Sequence, residues 1–473
     1  MTDREDFLKN RYREEENDPE ETEDLVWNDD LRPGDDEDVD WREENDRRKL
    51  YDKLRVKSGS GEEEPEEEPE VPKSRTERLN LIREETRKTE AIRNGSAQKM
   101  RERERKRDRI RSFLVVLAIL SVFVSAALLY LNNYHFTTYS VDGELSLGAV
   151  GSSRLYRFAN GNVILGNDTV LYIEDLNVVW SSLVNLEHPL YASEGEYFAL
   201  ADRGGYQLYI CDRTGLLSSV RVSRKIRCID VSSAGVVAVS TESSDSSYVS
   251  YFDRFGSKIQ VEVKTVLDAS GYPVSLTVSP DGQKLIVVYY CVQNGIGESR
   301  LAVYDFRNGK QDKSYVTASY EDFYNSDTYL VDCRFFDDRR AVAVGDNELV
   351  FLDVQKASVE RTTVELKERT RSVLFTEKQV VLVSESDRGA VCRVYDADGK
   401  VASEFACPDQ YDLIVADERF LLFKNKAELR LYNVSGVERY VGELIFEPQA
   451  VAFMKGNSLL LNTGSKFQKI TPK

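Results

Sequence analysis

The sequence predicts an all-β chain of the β-propeller class, eight blades with seven as the alternative count, behind a single N-terminal transmembrane helix and a disordered cytoplasmic tail. Three observations predict it. Phe113–Leu131 (FLVVLAILSVFVSAALLYL) runs 19 residues without a charge, proline or glycine. Such a run makes a helix of roughly 28 Å, enough for a bilayer core of about 30 Å. Beyond it, short β-branched and aromatic runs alternate with Asp-Gly and Asn-Gly turns, with few prolines and no long helical period. Finally, a strand–turn–strand unit recurs at the spacing of propeller blades.

Charge divides the part before the apolar run. Residues 1–70 hold 29 acids and 12 bases, a net charge of −17. Such a segment buries too little apolar surface to offset its chain entropy, so disorder is expected. Within it Trp27 and Trp41, in LVWNDDL and VDWREEN, are candidate docking anchors for a cytoplasmic partner, with incidental aromatics as the plain alternative. The stretch Ser74–Arg93 is rich in helix formers but has a thin apolar stripe, and reads as a marginal helix. Residues 1–96 are thus taken as acidic and then mixed-charge tail, 97–112 as a basic juxtamembrane segment, 113–131 as the span, 132–143 as a stalk and 144–473 as the propeller. Eight basic residues between Lys99 and Arg111 face three acids, and after Leu131 the next Lys or Arg is Arg154. The positive-inside rule places the N-terminus in the cytoplasm and the propeller outside, in a single-pass cell-membrane protein. Beside a spanning helix the basic run is read as contacting lipid headgroups, so no nucleic-acid partner is expected. No apolar run precedes the anchor, so no cleavable signal peptide is expected.

The repeat is marked by a residue closing one strand of each unit: Asp175, Asp212, Asp253, Asp305, Asp353, Asp396 and Asn433, at intervals of 37, 41, 52, 48, 43 and 37. An eighth strand pair, SLLLNTG and KFQKIT, follows without a marker. Strands before the first pair, GELSLGA and SSRLYRFA, are left over. Residues near Glu144–Ala149 are therefore expected to complete the last blade and close the ring. The marker carboxylates need no catalytic role, because Asp before a Gly turn can accept backbone N–H groups two residues on.

Val278–Leu285 (VSPDGQKL) resembles the SPDG-K-L hairpin of WD40-like and TolB-like propellers, and TVLYIEDLNVVW, ending at Trp180, resembles a quinoprotein-like repeat. With HPLYASEGEYFALADRGGYQLYICDRTG and SSAGVVAVSTE, the order of parts over roughly 105–470 resembles an uncharacterised family of single-pass membrane proteins of Gram-positive bacteria, mainly Clostridia. That resemblance implies an extracytoplasmic WD40-like or quinoprotein-like propeller and no reaction. Quinoprotein dehydrogenases use adjacent cysteines and stacked tryptophans at their cofactor. The outer part here has Trp180 alone and no Cys-Cys pair.

No catalytic, cofactor-binding or metal site is expected. Two histidines, His135 and His188, give a Ser-His-Asp arrangement or a His-rich metal site nothing to work with. Gly295-Ile296-Gly297 reads as a hairpin loop. Six cysteines lie beyond the span, and Cys392 and Cys407, flanking the Asp398-Gly399 turn, are the candidate disulfide, against burial as small apolar residues. Ser319–Asp332 reads as an inter-strand insertion whose Tyr320, Phe323, Tyr324 and Tyr329 form a candidate interaction surface, with packing between blades as the alternative. The function expected is a non-catalytic recognition or scaffolding platform at the cell envelope, bound to the membrane and to a protein or envelope polymer. A transmembrane sensor working through the acidic tail is the alternative, and a quinoprotein-like or hydrolytic enzyme is the third class.

Overall fold

The computed structural model describes residues 75–147, 153–166, 168–307, 309–312, 314–324, 328–355 and 358–473. The tail with Trp27 and Trp41 lies outside them. Arg75–Asn133 is one continuous helix of 59 residues, so the marginal helix and the span join through the basic segment. The helix crosses the boundary at 109/110 between two units of the chain, of which the second, 110–473, holds the propeller. Its membrane-length apolar window is Arg109–Ala127, with a mean hydropathy of 2.3 and none of it buried. That window overlaps the span read from the sequence.

The described residues beyond the helix form eight four-stranded antiparallel sheets, an eight-bladed propeller. Blade 1 comprises Arg154–Phe158, Gly161–Leu165, Thr169–Glu174 and Asn177–Leu183, and the later blades repeat that order. First strands of most neighbouring blades touch, and together they line a central channel. Second and third strands are buried on both faces, as in Tyr197–Asp202 and Gln207–Asp212, because each blade is sandwiched by two others. Outer strands alternate, as Lys258–Val266 does, with one face toward water.

The cores lie between blades. One joins blades 4 and 5 through Ile286, Val303, Ala341 and Leu352. Others join 1 with 2, 2 with 3, 3 with 4, 5 with 6, 6 with 7 and 7 with 8. The last joins Met454, Leu460 and Phe467 of blade 8 to Ile164 and Ile173 of blade 1, with Leu145 packed against it. Each blade therefore buries both faces.

Closure is supplied by Tyr139–Leu145, the outer strand of blade 8, paired antiparallel with Phe467–Pro472 from Tyr139↔Pro472 to Leu145↔Phe467. This strand starts before the expected boundary at 144 and overlaps the expected segment only at its end. The expected stalk is accordingly shorter, and it is bound rather than free. Phe136 N–H donates to the Arg439 carbonyl at 2.6 Å, and Thr137 and Thr138 N–H donate to the Lys473 carbonyl at 2.9 and 3.0 Å.

Most markers act as turn residues. Asp253 Oδ1 accepts from the N–H groups of Phe255 and Ser257 at 2.9 and 2.8 Å, and Asp396 Oδ1 does the same for Asp398 and Lys400. Asn433 repeats this with Ser435 and Val437. Asp353 departs from the pattern and pairs with Arg339. In the SPDG hairpin Gly282 has φ 72°, which glycine adopts without strain. Lys284 is buried with its ammonium on the Asp338 carbonyl of blade 5. Similar links run between turns at this end of the ring, including Ser233 Oγ to the Pro280 carbonyl at 2.8 Å and Glu377 N–H to Glu418 at 2.6 Å.

Removing residues 1–138 should leave the propeller foldable, whereas removing 1–145 opens blade 8 and leaves the edge of Phe467–Pro472 unpaired, with Phe467 on one face and Ile470 on the other less covered. The second truncation is expected to melt on the order of 10 °C below the first. Equal melting temperatures by calorimetry would contradict closure by this strand.

Candidate binding surfaces

The end of the ring with the first-to-second and third-to-fourth turns also receives the chain from the helix, since Tyr139 pairs with Pro472 at the end of a third strand. It is called the near end, and its opposite the far end.

The channel holds a cavity of about 480 Å³ bounded by first strands of blades 2 to 5, and a second of about 670 Å³ at the near end. Tyr191, Glu194, Arg334 and Phe375 line both. On one wall Tyr156 and Tyr191 stack at 3.9 Å and 10°. From the same strand of blade 2 as Tyr191, Glu194 reaches Arg334 of blade 5 at 3.5 Å, and Asp230 Oδ2 accepts the Val278 N–H at 2.8 Å. Burial raises the pKa of both Asp230 and Glu194, opposed by the Arg334 guanidinium and, at Asp230, by the Val278 bond. Thr277 Oγ1 accepts from Phe335 N–H at 3.1 Å, and Ser275 Oγ donates to Asp332 at 2.6 Å. These polar groups tie blades 3, 4 and 5 together along the channel, which gives them a structural task.

Neither histidine lies in the channel: His135 is 3.9 Å from Glu438 near the helix end, and the His188 N–H donates to Asp202 at 2.6 Å. Among the described residues no group of three or more His, Cys, Asp or Glu side chains could hold a metal ion.

All six cysteines are free thiols. The Cys392–Cys407 disulfide is corrected by the strand register, which sets Cys392 opposite Phe405 and bonds the Cys407 N–H to the Ala390 carbonyl at 3.0 Å. The two residues share a face but sit diagonally, two positions apart along the ladder, where Cα atoms are farther apart than in a direct pair. Burial pushes the Cys407 thiol up to about 12 and the Cys228 thiol to about 11, and raises Cys392 as well. Such thiols are poor nucleophiles.

The aromatic insertion proves to be a strand. Tyr320–Tyr324 is the outer strand of blade 4, paired with Ser299–Val303. The residues inserted before it carry a small hairpin, Gln311–Asp312 with Tyr315–Val316. Tyr324 is buried in the core between blades 4 and 5, and Tyr320 packs against that core. Burial is the main reason the Tyr324 hydroxyl is pushed up to about 12, reinforced by Asp322. Phe323 is 53% exposed, with Arg300 over its ring at 5.5 Å. Tyr329 meets Tyr290 at 5.9 Å. The four rings thus do not share one surface.

A different apolar surface lies at the far end of blades 4 and 5. The second and third strands of blade 4, Lys284–Gln293 and Ile296–Asp305, are ten residues each and paired to the Gln293↔Ile296 tip. The first strand supports them only as far as Tyr272↔Tyr290. The tip beyond therefore overhangs, turning at Asn294-Gly295 with φ 53° and 79°, as a two-residue hairpin requires. Val292 and Ile296 flank that turn at 60% and 52% exposure on opposite faces of the hairpin, since Val292 pairs with Gly297 and Ile296 with Gln293. Val292 shares its face with exposed Tyr290 and Tyr272, and Val274 and Val331 are exposed in the first strands of blades 4 and 5. Val274 and Val331 sit at bulges, where one extra residue in each first strand stands out of the ladder. The signal in the sequence was the pair of aliphatic residues beside Asn-Gly, where polar residues are usual.

The structure thus defines a class: an eight-bladed propeller behind, among the described residues, one membrane-length helix, with exposed apolar side chains at the far end and a channel crossed by structural polar pairs. Within that class, the chain belongs to the family of unknown function DUF5711, whose sequence model matches residues 132–471. No curated protein matches it in sequence. Among solved structures, it is similar to BamB from Moraxella catarrhalis at 12% identity, covering 71% of this chain and 100% of that one, with a TM-score of 0.44. Apo AztD from Citrobacter koseri gives 11%, 63%, 87% and 0.42, and the Dos1 propeller 10%, 71%, 94% and 0.45. At that level of likeness, nothing about this chain's partners or chemistry follows from them.

Because burial holds the Asp230 carboxyl above its unfolded value, its contribution to stability is full below the ordinary carboxylate range. It is lost as pH rises through the raised value. Asp230→Asn keeps an acceptor for the Val278 N–H and cannot ionise. The fall in melting temperature from pH 4 toward neutrality is expected to be shallower in the variant than in the wild type, with Glu194 leaving a residual slope. Identical slopes by scanning fluorimetry would contradict the assignment.

Proposed function

We propose that this protein is a membrane-anchored, non-catalytic recognition platform whose propeller lies outside the cell and whose acidic tail lies in the cytoplasm. The orientation rests on the eight basic residues from Lys99 to Arg111 ahead of the span. The observation that carries the recognition role is the exposed apolar face of Tyr272, Tyr290 and Val292, with Val274 and Val331 exposed in the first strands of blades 4 and 5 and Ile296 on the other face of the same projecting tip. It sits at the end of the ring turned away from the chain's entry, where a partner has access to it. Aliphatic and aromatic groups around a projecting hairpin suit a protein partner, because such surfaces bind by desolvation around a few anchors.

One observation favours a second reading, the transmembrane sensor. Thr138 and Lys473 exchange backbone hydrogen bonds and Phe136 is bonded to Arg439, so the helix is joined to the ring without a slack linker. Such a joint supports transmission of a change in the ring to the tail. Deleting residues 1–70 separates the two readings, since a scaffold keeps its outer partner while a sensor loses its response.

The test is crosslinking in native cells followed by mass spectrometry, on wild type and on the double variant Val292→Asp with Ile296→Asp. Both side chains are exposed, so the fold cost is expected to be within about 0.5 kcal/mol per site. Partners captured by the wild type should be lost from the variant. Recovery of the same partners in equal yield from both would reject this surface.

A further inference from the structure

A cleft of about 1050 Å³ opens between the C-terminal end of the helix and the near end of blades 7 and 8. The helix contributes Ser125 and Leu129, the segment after it Phe136, and the propeller Arg419, Phe420 and Arg439. Its lining is mostly apolar on the helix side, whereas the propeller side mixes the two arginines with Glu418, Phe420, Val434 and neutral polar groups. Ser125 lies inside the membrane-length window Arg109–Ala127, and Leu129 follows just beyond it. Tyr130 and Tyr134 come next, their rings meeting at 5.9 Å, and Tyr134 meets Phe136 at 5.4 Å. Tyrosines in this position mark the headgroup level of a bilayer. The cleft therefore runs from acyl-chain depth to the headgroup layer.

We infer that this cleft holds the headgroup of one anionic phospholipid from the leaflet in which the helix ends, with the exposed Arg419 as its phosphate-facing group and the buried charge of Arg439 behind it. The Arg439 guanidinium is buried over the Phe136 ring at 5.3 Å. Ring and cation thus fix one another at the mouth of the cleft. Arg419 is exposed, lies 5.2 Å from the Phe420 ring, and gives one N–H to the Gly456 carbonyl. A guanidinium carries five N–H groups in a planar fork that matches phosphate oxygens. Glu418, the carboxylate at the cleft, accepts the Glu377 N–H and so belongs to the seam between blades 6 and 7. The lipid would hold the near end of the ring flat on the membrane. This inference needs neither the orientation nor the far-end partner proposed above.

The test uses the full chain in phosphatidylcholine nanodiscs doped with a photoreactive phosphatidylglycerol or, in a parallel set, the matching phosphatidylcholine probe. Labelled peptides are read by mass spectrometry. Phosphatidylglycerol is expected to label the segments around Arg419 and around residues 433–439 about fivefold more than phosphatidylcholine, the preference one well-placed basic residue confers near a membrane surface. Arg419→Glu should abolish that preference without lowering the melting temperature, since this side chain is exposed. Arg439→Lys, which keeps the charge, should retain part of it. Equal labelling by the two probes, unchanged labelling in Arg419→Glu, or displacement by excess inorganic phosphate would each overturn the assignment to a lipid.

Discussion

Eight sheets share eight cores only if the last blade meets the first, and here that meeting depends on a seven-residue strand. Glu144 in this strand bonds to Lys466, 322 residues away in sequence, at 2.6 Å. The contact is among the most non-local in the chain, and ordering so long a loop costs entropy that only the assembled ring repays. Until Tyr139–Leu145 pairs with Phe467–Pro472, blade 8 has three strands and the core of Met454, Leu460 and Phe467 is only partly covered. Stability of the ring and attachment to the membrane helix are therefore set by the same few residues.

Within each blade the governing constraints are local. A carboxylate or amide at the end of the third strand gathers two backbone N–H groups and lets the chain reverse within four residues, as Asp253, Asp396 and Asn433 do. At Asp353 the side chain instead pairs with Arg339. The channel polar groups act between blades rather than within them. Asp230 reaches blade 4 and Thr277 accepts from blade 5, so the three blades are held in angular register.

What could be read from the sequence follows from burial. Second and third strands, apolar on both faces, stood out as continuous runs such as YFALAD and KLIVVYY, and their turn residues gave the period. First and outer strands did not, because alternation with polar residues hides a six-residue strand among loops. This is why YEDFY, an outer strand, looked like an aromatic insertion, and why Tyr324 looked like surface when its ring faces the core. The closing strand was misplaced for the same reason: YSVDGEL carries a bulge between Val141 and Gly143 that breaks its period. Spacing about the Asp398-Gly399 turn brought Cys392 and Cys407 to adjacent strands correctly. The offset between them is itself legible by counting, since Cys392 lies six residues before Asp398 and Cys407 eight after Gly399, so symmetry about the turn sets Cys392 opposite Phe405, as the ladder does. The far-end surface went unseen because Val292 and Ile296 look like strand core until the overhang is visible.

The joint at Thr137 and Thr138 has a mechanical consequence. The closing strand enters the ring from the helix and lies antiparallel to Phe467–Pro472, with six paired positions in between. A pull on the propeller away from the membrane is transmitted along the axis of this strand. Its ladder hydrogen bonds are then strained together in shear instead of opening one at a time from a free edge. Drag or tension on a bound partner would thus be borne by the whole blade 8 ladder, and the ring would resist being drawn off its anchor far better than a blade hinged at one end.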